Sequence, residues 1–306
     1  MSKTSKVNEE LLEETLTTLR RAGFTVDTIS YPPEERGFDL VAYKEDSRPV
    51  LLKVSESLKH VSKIELEDLK KSIRAYNVIS LIVATRSGNT SLEDDVIYEK
   101  QGVPALTTRT LEKSLSTREK PIVIHRKGGY FLKVNSRVFT ERLREYGYSR
   151  GELAEILRVT KKTVYLYERG ELLVPLDKGL LLAQLLGEDI FEELDPAKLL
   201  SMLSEEAITS DAPRDRIEES LWRLASRLNK LFLSFTRTPV DVVVKNNTTT
   251  LVVAKATYRN GSLERKIEDA EKIADIVNAP LIVVKSKSDI KQVESALLSK
   301  SKPGLV

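Results

Sequence analysis

Lys161, Lys162, Tyr165 and Arg169 have the types and spacing to share one face of a helix, with Arg150 before them and Lys178 after. The chemistry open to such a face is anion binding. Residues 126–169 carry 11 basic and 5 acidic side chains, for a net +6. The flanking segments differ: residues 1–125 sum to −1, 170–213 to −8 and 214–306 to +6. A basic segment confined to one region is the footprint of a phosphate-binding surface, although charge alone fits an ordinary solvated helix face equally well. Other chemistries lack their residues. There is no cysteine, so no disulfide, thiolate zinc site or cysteine nucleophile is expected. His60 and His125 are far apart, which argues against a metal site built on imidazole, and no cofactor is expected.

Several residues can position that face. Ser149 and Glu152 form a capping-box pattern that starts a short helix, with Leu153, Ala154 and Leu157 on one side of it. Ala154 is small where a second helix crosses closely. Val159 fills the turn, Thr160 can cap the next helix, and Val164 and Tyr167 give that helix an inward side.

The run from Ser149 to Gly170 resembles the Cro/repressor (XRE) helix-turn-helix family, over about residues 136–187. Phe139 and Leu143 precede it and Leu180–Leu186 follow. The family usually has glycine in the turn, where this chain has Arg158; a left-handed non-glycine residue costs roughly 1 kcal/mol. The resemblance implies that the second helix enters the major groove of double-stranded DNA, with Lys161, Lys162 and Tyr165 at the base edges. It implies phosphate contacts from Arg150, Arg169 and Lys178, and a structural role for Glu168.

The flanks read as α/β units. Residues 8–22 show helical spacing, and Phe24–Ile29, Phe38–Tyr43 and Val50–Val54 look extended. Ser62 and Glu65 open a helix to about Tyr76, followed by a buried strand at Val78–Ala84. The tail repeats that plan: a helix over 215–234, strands at Val240–Lys245 and Thr250–Ala256, a helix from Ser262 to Val277, and a strand at Leu281–Lys285. Asp39 precedes Lys53, and Asp241 precedes Lys255, by 14 residues each. An internal duplication of one α/β unit is therefore expected. Trp222, alone on an apolar helical face, is expected in core or interface packing.

Phe38-Asp39-Leu40-Val41 and Leu51-Leu52-Lys53 resemble the restriction-endonuclease-like core of archaeal Holliday-junction resolvases. That resemblance implies Asp39 and Lys53 in catalytic places, with Leu51 where a second carboxylate belongs. The second copy has Asp241, Lys255 and, in the carboxylate's place, Val253. Both copies are read as degenerate and no catalytic or metal site is expected, with Glu65 and Glu67 the candidates for a migrated carboxylate.

The fold class expected is thus α/β plus all-α: two restriction-endonuclease-like units flanking a central Cro/repressor-type helical domain. The boundaries are 1–120 for the first unit and 121–203 for a hairpin (122–125 and 130–134) with the helix-turn-helix. A linker follows at 204–214 and the second unit at 215–306. The whole resembles a family of archaeal HTH-type transcriptional regulators. It implies a cytoplasmic, nucleoid-associated, non-enzymatic DNA-binding homodimer without a membrane segment. The rival functions are a structure-selective DNA nuclease or repair factor and a protein-binding adaptor.

Overall fold

A computed structural model gives the fold and describes residues 3–32, 36–116, 120–195, 209–246, 250–256 and 263–299. Helix α1 (Lys3–Arg21) buries Leu11, Leu16 and Leu19 and ends at Gly23, whose φ of +84° suits glycine. Strands β1 (Thr25–Thr28), β2 (Leu40–Tyr43) and β3 (Val50–Ser57) then pair antiparallel. Helix α2 (Lys63–Tyr76) starts on a reciprocal capping box between Ser62 and Glu65 and ends at left-handed Asn77. It carries the chain over to β4 (Ile79–Ser87), which runs parallel to β3.

Beyond β4 come β5 (Thr90–Ser91), β6 (Val96–Lys100), β7 (Val103–Leu106) and α3 (Thr108–Ser116). The hairpin β8 (Val123–Arg126) and β9 (Gly129–Leu132) extends this sheet, because β8 pairs parallel with β6 from Val96↔Val123 to Tyr98↔His125. With β10 (Val174–Pro175) the sheet has, among the described residues, ten strands, in the order β1-β2-β3-β4-β7-β6-β8-β9-β10 with β5 beside β4. The ladder thus runs across residue 120, where the sequence places the end of the first unit. Helices α4 (Ser136–Tyr146), α5 (Arg150–Leu157), α6 (Lys161–Glu168) and α7 (Leu176–Leu186) gather beside its far edge. Gly179 lets α7 approach β9: a Cβ there would run into Leu132 Cδ1.

The second unit comprises α8 (Arg216–Arg227), β11 (Leu231–Ser234), β12 (Val242–Lys245), β13 (Thr250–Lys255), α9 (Leu263–Ile276), β14 (Leu281–Val284) and α10 (Ile290–Ser299). Its sheet order is β11-β12-β13-β14, with β13 and β14 parallel. The helix expected over 215–234 is corrected here. It stops at Arg227, Asn229 turns the chain at a φ of 50°, and residues 231–234 form a strand that pairs with β12. Of the linker expected at 204–214, residues 204–208 lie outside the described residues. Ser210 and Asp211 are bonded to β11: Phe232 N–H donates to Ser210 Oγ and Ser234 N–H to Asp211 Oδ2.

The two units share one apolar cluster. It joins Ile29, Phe38, Val41, Leu51 and Leu69 of the first to Phe235, Val243, Val252, Ala254 and Ile273 of the second. Polar contacts around it are reciprocal. Asp68 on α2 accepts backbone N–H bonds from Thr236 and Arg237, while Asp269 on α9 accepts one from Tyr31 and a hydroxyl bond from Ser30. Three residues further along each helix, Lys71 donates to the Ser234 carbonyl and Lys272 to the Thr28 carbonyl. Each unit's crossover helix grips the end of the other's first strand. Such exchange, i to j and j to i, is the pattern of a two-fold dimer, here within one chain.

Candidate nucleic-acid interface

The central helices are fixed by local chemistry before they are fixed by packing. Asn135 caps α4, and Gly147 closes it in the left-handed region at a φ of 72°. Ser149 Oγ accepts from Glu152 N–H, and the Glu152 carboxylate accepts from Ser149 N–H at 2.8 Å. Those backbone and hydroxyl bonds hold the Glu152 carboxyl below its ordinary range. Helix α5 ends at Arg158 (φ 51°, ψ 50°), whose N–H returns to the α5 carbonyls. Thr160 Oγ1 then accepts from Thr163 N–H to start α6. Caps of this kind stabilise a helix by about 1 kcal/mol each, which matters for helices of eight residues.

Packing supplies the rest. Leu153, Ala154 and Leu157 of α5 meet Val164 and Tyr167 of α6, Phe139 and Leu143 of α4, and Leu182 and Leu186 of α7 in one buried cluster, with Val159 half-buried at its edge. Burial pushes the Tyr167 hydroxyl above its usual range. The opposite side of α6 is left outward: Lys161, Lys162, Tyr165 and Arg169 are exposed.

Glu168, 9% exposed, ties the group together. Its carboxylate receives Arg150 Nε at 2.5 Å and Nη2 at 3.2 Å, and the Thr140 hydroxyl at 3.4 Å. The Arg150 guanidinium is held further from deprotonation by that bond. It also lies over the Tyr165 ring at 5.3 Å, and Arg169 approaches the same ring at 5.8 Å. Arg169 is paired as well with Glu171 at 2.5 Å, and Lys178 stands 3.4 Å from Asp177. The result is a surface with two lysines at the start of α6 and a ring between two guanidiniums one turn later. Ser136, Thr140, Arg150, Tyr165, Glu168 and Arg169 line a shallow open depression beside it. The sequence missed that Arg150 is spoken for: its Nε/Nη2 edge belongs to Glu168.

The nuclease-like residues also come together, in a different way. Asp39, Lys53 and Glu65 are 4–7% exposed, with Lys53 Nζ 2.9 Å from Glu65 Oε1 and 3.6 Å from Asp39 Oδ2. Glu65 therefore reaches the Asp39–Lys53 pair from the helix, while Glu67 pairs with Lys63 on the surface. Every oxygen of the two buried carboxylates is engaged. Asp39 Oδ1 takes Arg36 Nε at 2.6 Å and Oδ2 takes Val54 N–H at 2.7 Å. Glu65 Oε2 takes the Ser62 N–H and hydroxyl, and Arg237 from the second unit stands 3.6 Å away. Three cations and three neutral donors already satisfy this donor set, so it does not fit a divalent ion. Among the described residues, no group of three or more His, Cys, Asp or Glu is placed to hold a metal.

In the second unit the expected equivalence of Lys255 with Lys53 is corrected. Val54 N–H bonds to Asp39 Oδ2 in the first unit, and Lys255 N–H bonds to Asp241 Oδ2 in the second. Lys255 thus occupies the place of Val54, Ala254 that of Lys53, and Val252 that of Leu51. One residue of register turns a side chain to the other face of the sheet. Lys255 accordingly meets Asp215 at 2.6 Å and Glu218 at 2.7 Å on the α8 side. The cation nearest Asp241 is Lys266 of α9, at 2.6 Å from Oδ2, the counterpart of Glu65 on α2, while Lys255 Nζ stands 3.9 Å from Oδ1. Its equal spacing from the helix aspartates (Glu65 to Asp68, Lys266 to Asp269) was the available signal. Trp222, expected in packing, is among the exposed residues.

Residues 8–121 match the PD-(D/E)XK superfamily domain, a nuclease fold. A protein of Pyrococcus furiosus named "Putative HTH-type transcriptional regulatory protein" is 30% identical over 275 residues, covering 87% of this chain and 83% of its own. A protein so named from Methanococcus maripaludis is 30% identical over 331 residues, 93% of this chain and all of the relative. Another from Thermococcus gammatolerans is 28% identical over 292 residues, 95% and 90% of the two chains. No solved structure matches. No helix among the described residues is long and apolar enough to cross a membrane. The likeness spans nearly the full length on both sides, and the chain belongs to this family of archaeal HTH-type transcriptional regulatory proteins.

Proposed function

We propose that the chain is a sequence-specific regulator that reads double-stranded DNA through α5 and α6, used as an XRE-type helix-turn-helix. The observation that carries this reading is the outward face of α6. Lys161 and Lys162 stand exposed on its first turn, and Tyr165 is held one turn later between Arg150 and Arg169. Lysines at the N-terminal end of a groove-entering helix can donate to guanine O6 and N7. Arg169 and Lys178 supply phosphate contacts. Arg150 does so through the edge that Glu168 leaves open, and Glu168 acts as the positioning residue. Ser149, Glu152, Leu153, Ala154, Val159, Thr160, Val164 and Tyr167 are its framework.

Mobility shift with salt titration tests this. Lys161→Ala and Lys162→Ala each weaken binding to the cognate site by about 1–3 kcal/mol, and loss of one phosphate contact at Arg169 lowers the salt slope by about 1. Glu168→Gln frees Arg150 and lowers affinity without removing a base contact. Binding left intact in all four variants defeats the assignment. The protein acts as a homodimer on half-sites about 34–36 Å apart, in the cytoplasm at the nucleoid.

The nuclease reading has one observation in its favour, the meeting of Asp39, Lys53 and Glu65. Their saturation by Arg36, Arg237 and each other makes the group a buried tie between elements, so both α/β units are non-catalytic scaffolds. Cleavage of duplex or junction DNA with Mg²⁺ or Mn²⁺, abolished in Asp39→Ala, would reverse that conclusion.

A further inference from the structure

The β8–β9 hairpin carries a basic tip that the α6 surface does not use. Lys127 is exposed there, and Gly128 and Gly129 take φ of 107° and 129°. A Cβ on Gly129 would meet nothing within 4 Å, so the backbone at the tip is open to close approach. The turn between β6 and β7 ends at the same level. Strand β8 runs parallel to β6 with Tyr98 beside His125, and continuing that register by two residues sets Lys100 beside Lys127. Lys70 of α2 lies along Gly102 of that turn, where a Cβ would be 3.6 Å from Lys70 Cδ. Lys70 and Lys100 are half-buried. Glu99 is paired with Arg126 at 3.3 Å, whereas Lys70, Lys100 and Lys127 are in no ion pair among the described residues.

Strand β9 connects this rim with the proposed reader. At its base lies the end of α6: a Cβ on Gly170, next to Arg169, would be 3.2 Å from the Val134 carbonyl. Midway, β10 pairs Pro175 with Phe131 and delivers the chain to the first turn of α7, which carries Lys178. The tip follows three to four residues beyond Phe131, or roughly 10–14 Å of extended strand. Arg169, Lys178 and Lys127 therefore come in spatial order along one strand. The rim is also on the α7 side of the sheet. Leu132, against Gly179 of α7, projects to the same side as Tyr130, whose ring meets His125 and, through it, Tyr98. Lys100 stands two residues on from Tyr98, on that same face.

We propose that this rim, Lys127 with Lys100 and Lys70, binds the sugar-phosphate backbone of duplex DNA beside the half-site entered by α6. The occupant is the same duplex because these cations follow Arg169 and Lys178 along β9. Ammonium groups next to bare glycine backbone suit phosphate oxygens. An advance of about 10 Å matches roughly three nucleotides of rise, so Lys178 and Lys127 reach phosphates within one helical turn. The rim adds affinity and fixes orientation but reads no base. The inference rests on the DNA-reading proposal for the position of the duplex.

The test uses the full chain and two duplexes sharing a half-site that the chain itself selects from random sequence. One duplex ends at the half-site; the other continues about one helical turn on each side. Lys100→Gln combined with Lys127→Gln, with unaltered circular dichroism, should bind the longer duplex about tenfold more weakly, with a salt slope smaller by about 2. Affinity for the short duplex, and the penalty for base changes within the half-site, should stay as in the parent chain. Equal loss on both duplexes, or no loss on either, overturns the inference. So does the same loss in Lys285→Gln with Lys287→Gln, two exposed lysines of the second unit, because net charge alone would then explain it. The two proposals fail separately. If Lys161→Ala and Lys162→Ala have no effect while the rim variant shows its length-dependent loss, the reader falls and the rim stands as a duplex contact. The reverse result sinks the rim and keeps the reader, and a chain that binds neither duplex overturns both.

Discussion

The two α/β units place a buried cation beside the same aspartate by opposite routes. In the first, Lys53 comes from the strand and Glu65 from the helix; in the second, Ala254 stands on the strand and Lys266 comes from the helix. Both arrangements close the charge next to a buried carboxylate whose backbone partner is the same. Burial disfavours Asp241 ionisation, raising its carboxyl above the usual range against the pull of Lys266 and Lys255. The fold therefore demands that the charge be matched and is indifferent to which element matches it. Catalysis would not be indifferent, since attack on a phosphodiester needs its donors in fixed places.

The largest expected effect breaks that matching. Lys266→Glu sets two carboxylates together and should cost about 3–5 kcal/mol in urea unfolding. Adding Ala254→Lys rebuilds the first unit's arrangement and should recover much of the loss. If the two changes simply add, the equivalence of these four positions is wrong.

The strand after each crossover helix sharpens the comparison next. Leu81→Ala should cost about 2–5 kcal/mol, and its counterpart Ile282→Ala clearly less, because a half-buried side chain loses less transfer free energy. Equal losses would mean that β14 is already covered.

A smaller effect concerns the reciprocal aspartates. Burial pushes Asp68 up to about 6, against the pull of the Arg237 and Thr236 N–H groups, Lys71 and Arg214. The folded chain thus holds this proton more tightly than the unfolded one. The stability it contributes is complete below about pH 4 and is lost as pH rises to about 6, a swing of about 3 kcal/mol. Asp68→Asn should remove that swing from the pH profile of unfolding. A profile unchanged between pH 4 and 6 would count against it.

The smallest effect is at Trp222. As an exposed residue it should tolerate Ala within about 0.5 kcal/mol. A cost several times larger would restore the packing role expected from the sequence.

The central helices were legible because their signals are local. The Ser149–Glu152 box, the Thr160 cap and the left-handed turn at Arg158 each depend on neighbours within a few residues. The duplication was legible too, but its register was not. Asp39 N–H bonds to the Leu52 carbonyl 13 residues on, and Asp241 N–H to that of Val253, 12 on. The connection is one residue shorter in the second unit, and the side-chain period of two turns that residue into a change of face. Matching Asp-to-Lys spacing concealed this. Pairing between β6 and β8, and the grip of each crossover helix on the other unit, are long-range, and no local pattern reports them.

The ladder from β6 into the β8–β9 hairpin also bears on how a signal could reach the proposed reader. The helices proposed to read DNA, α5 and α6, are not a pendant on a string; they are mounted on the margin of the same pleated plate that forms the first unit. A force that twists this plate must turn α6 with it, unless the rungs between Val96 and His125 are broken. An effector acting on the flanks would accordingly re-aim the reader as a steering column does, through stiffness and not through a joint.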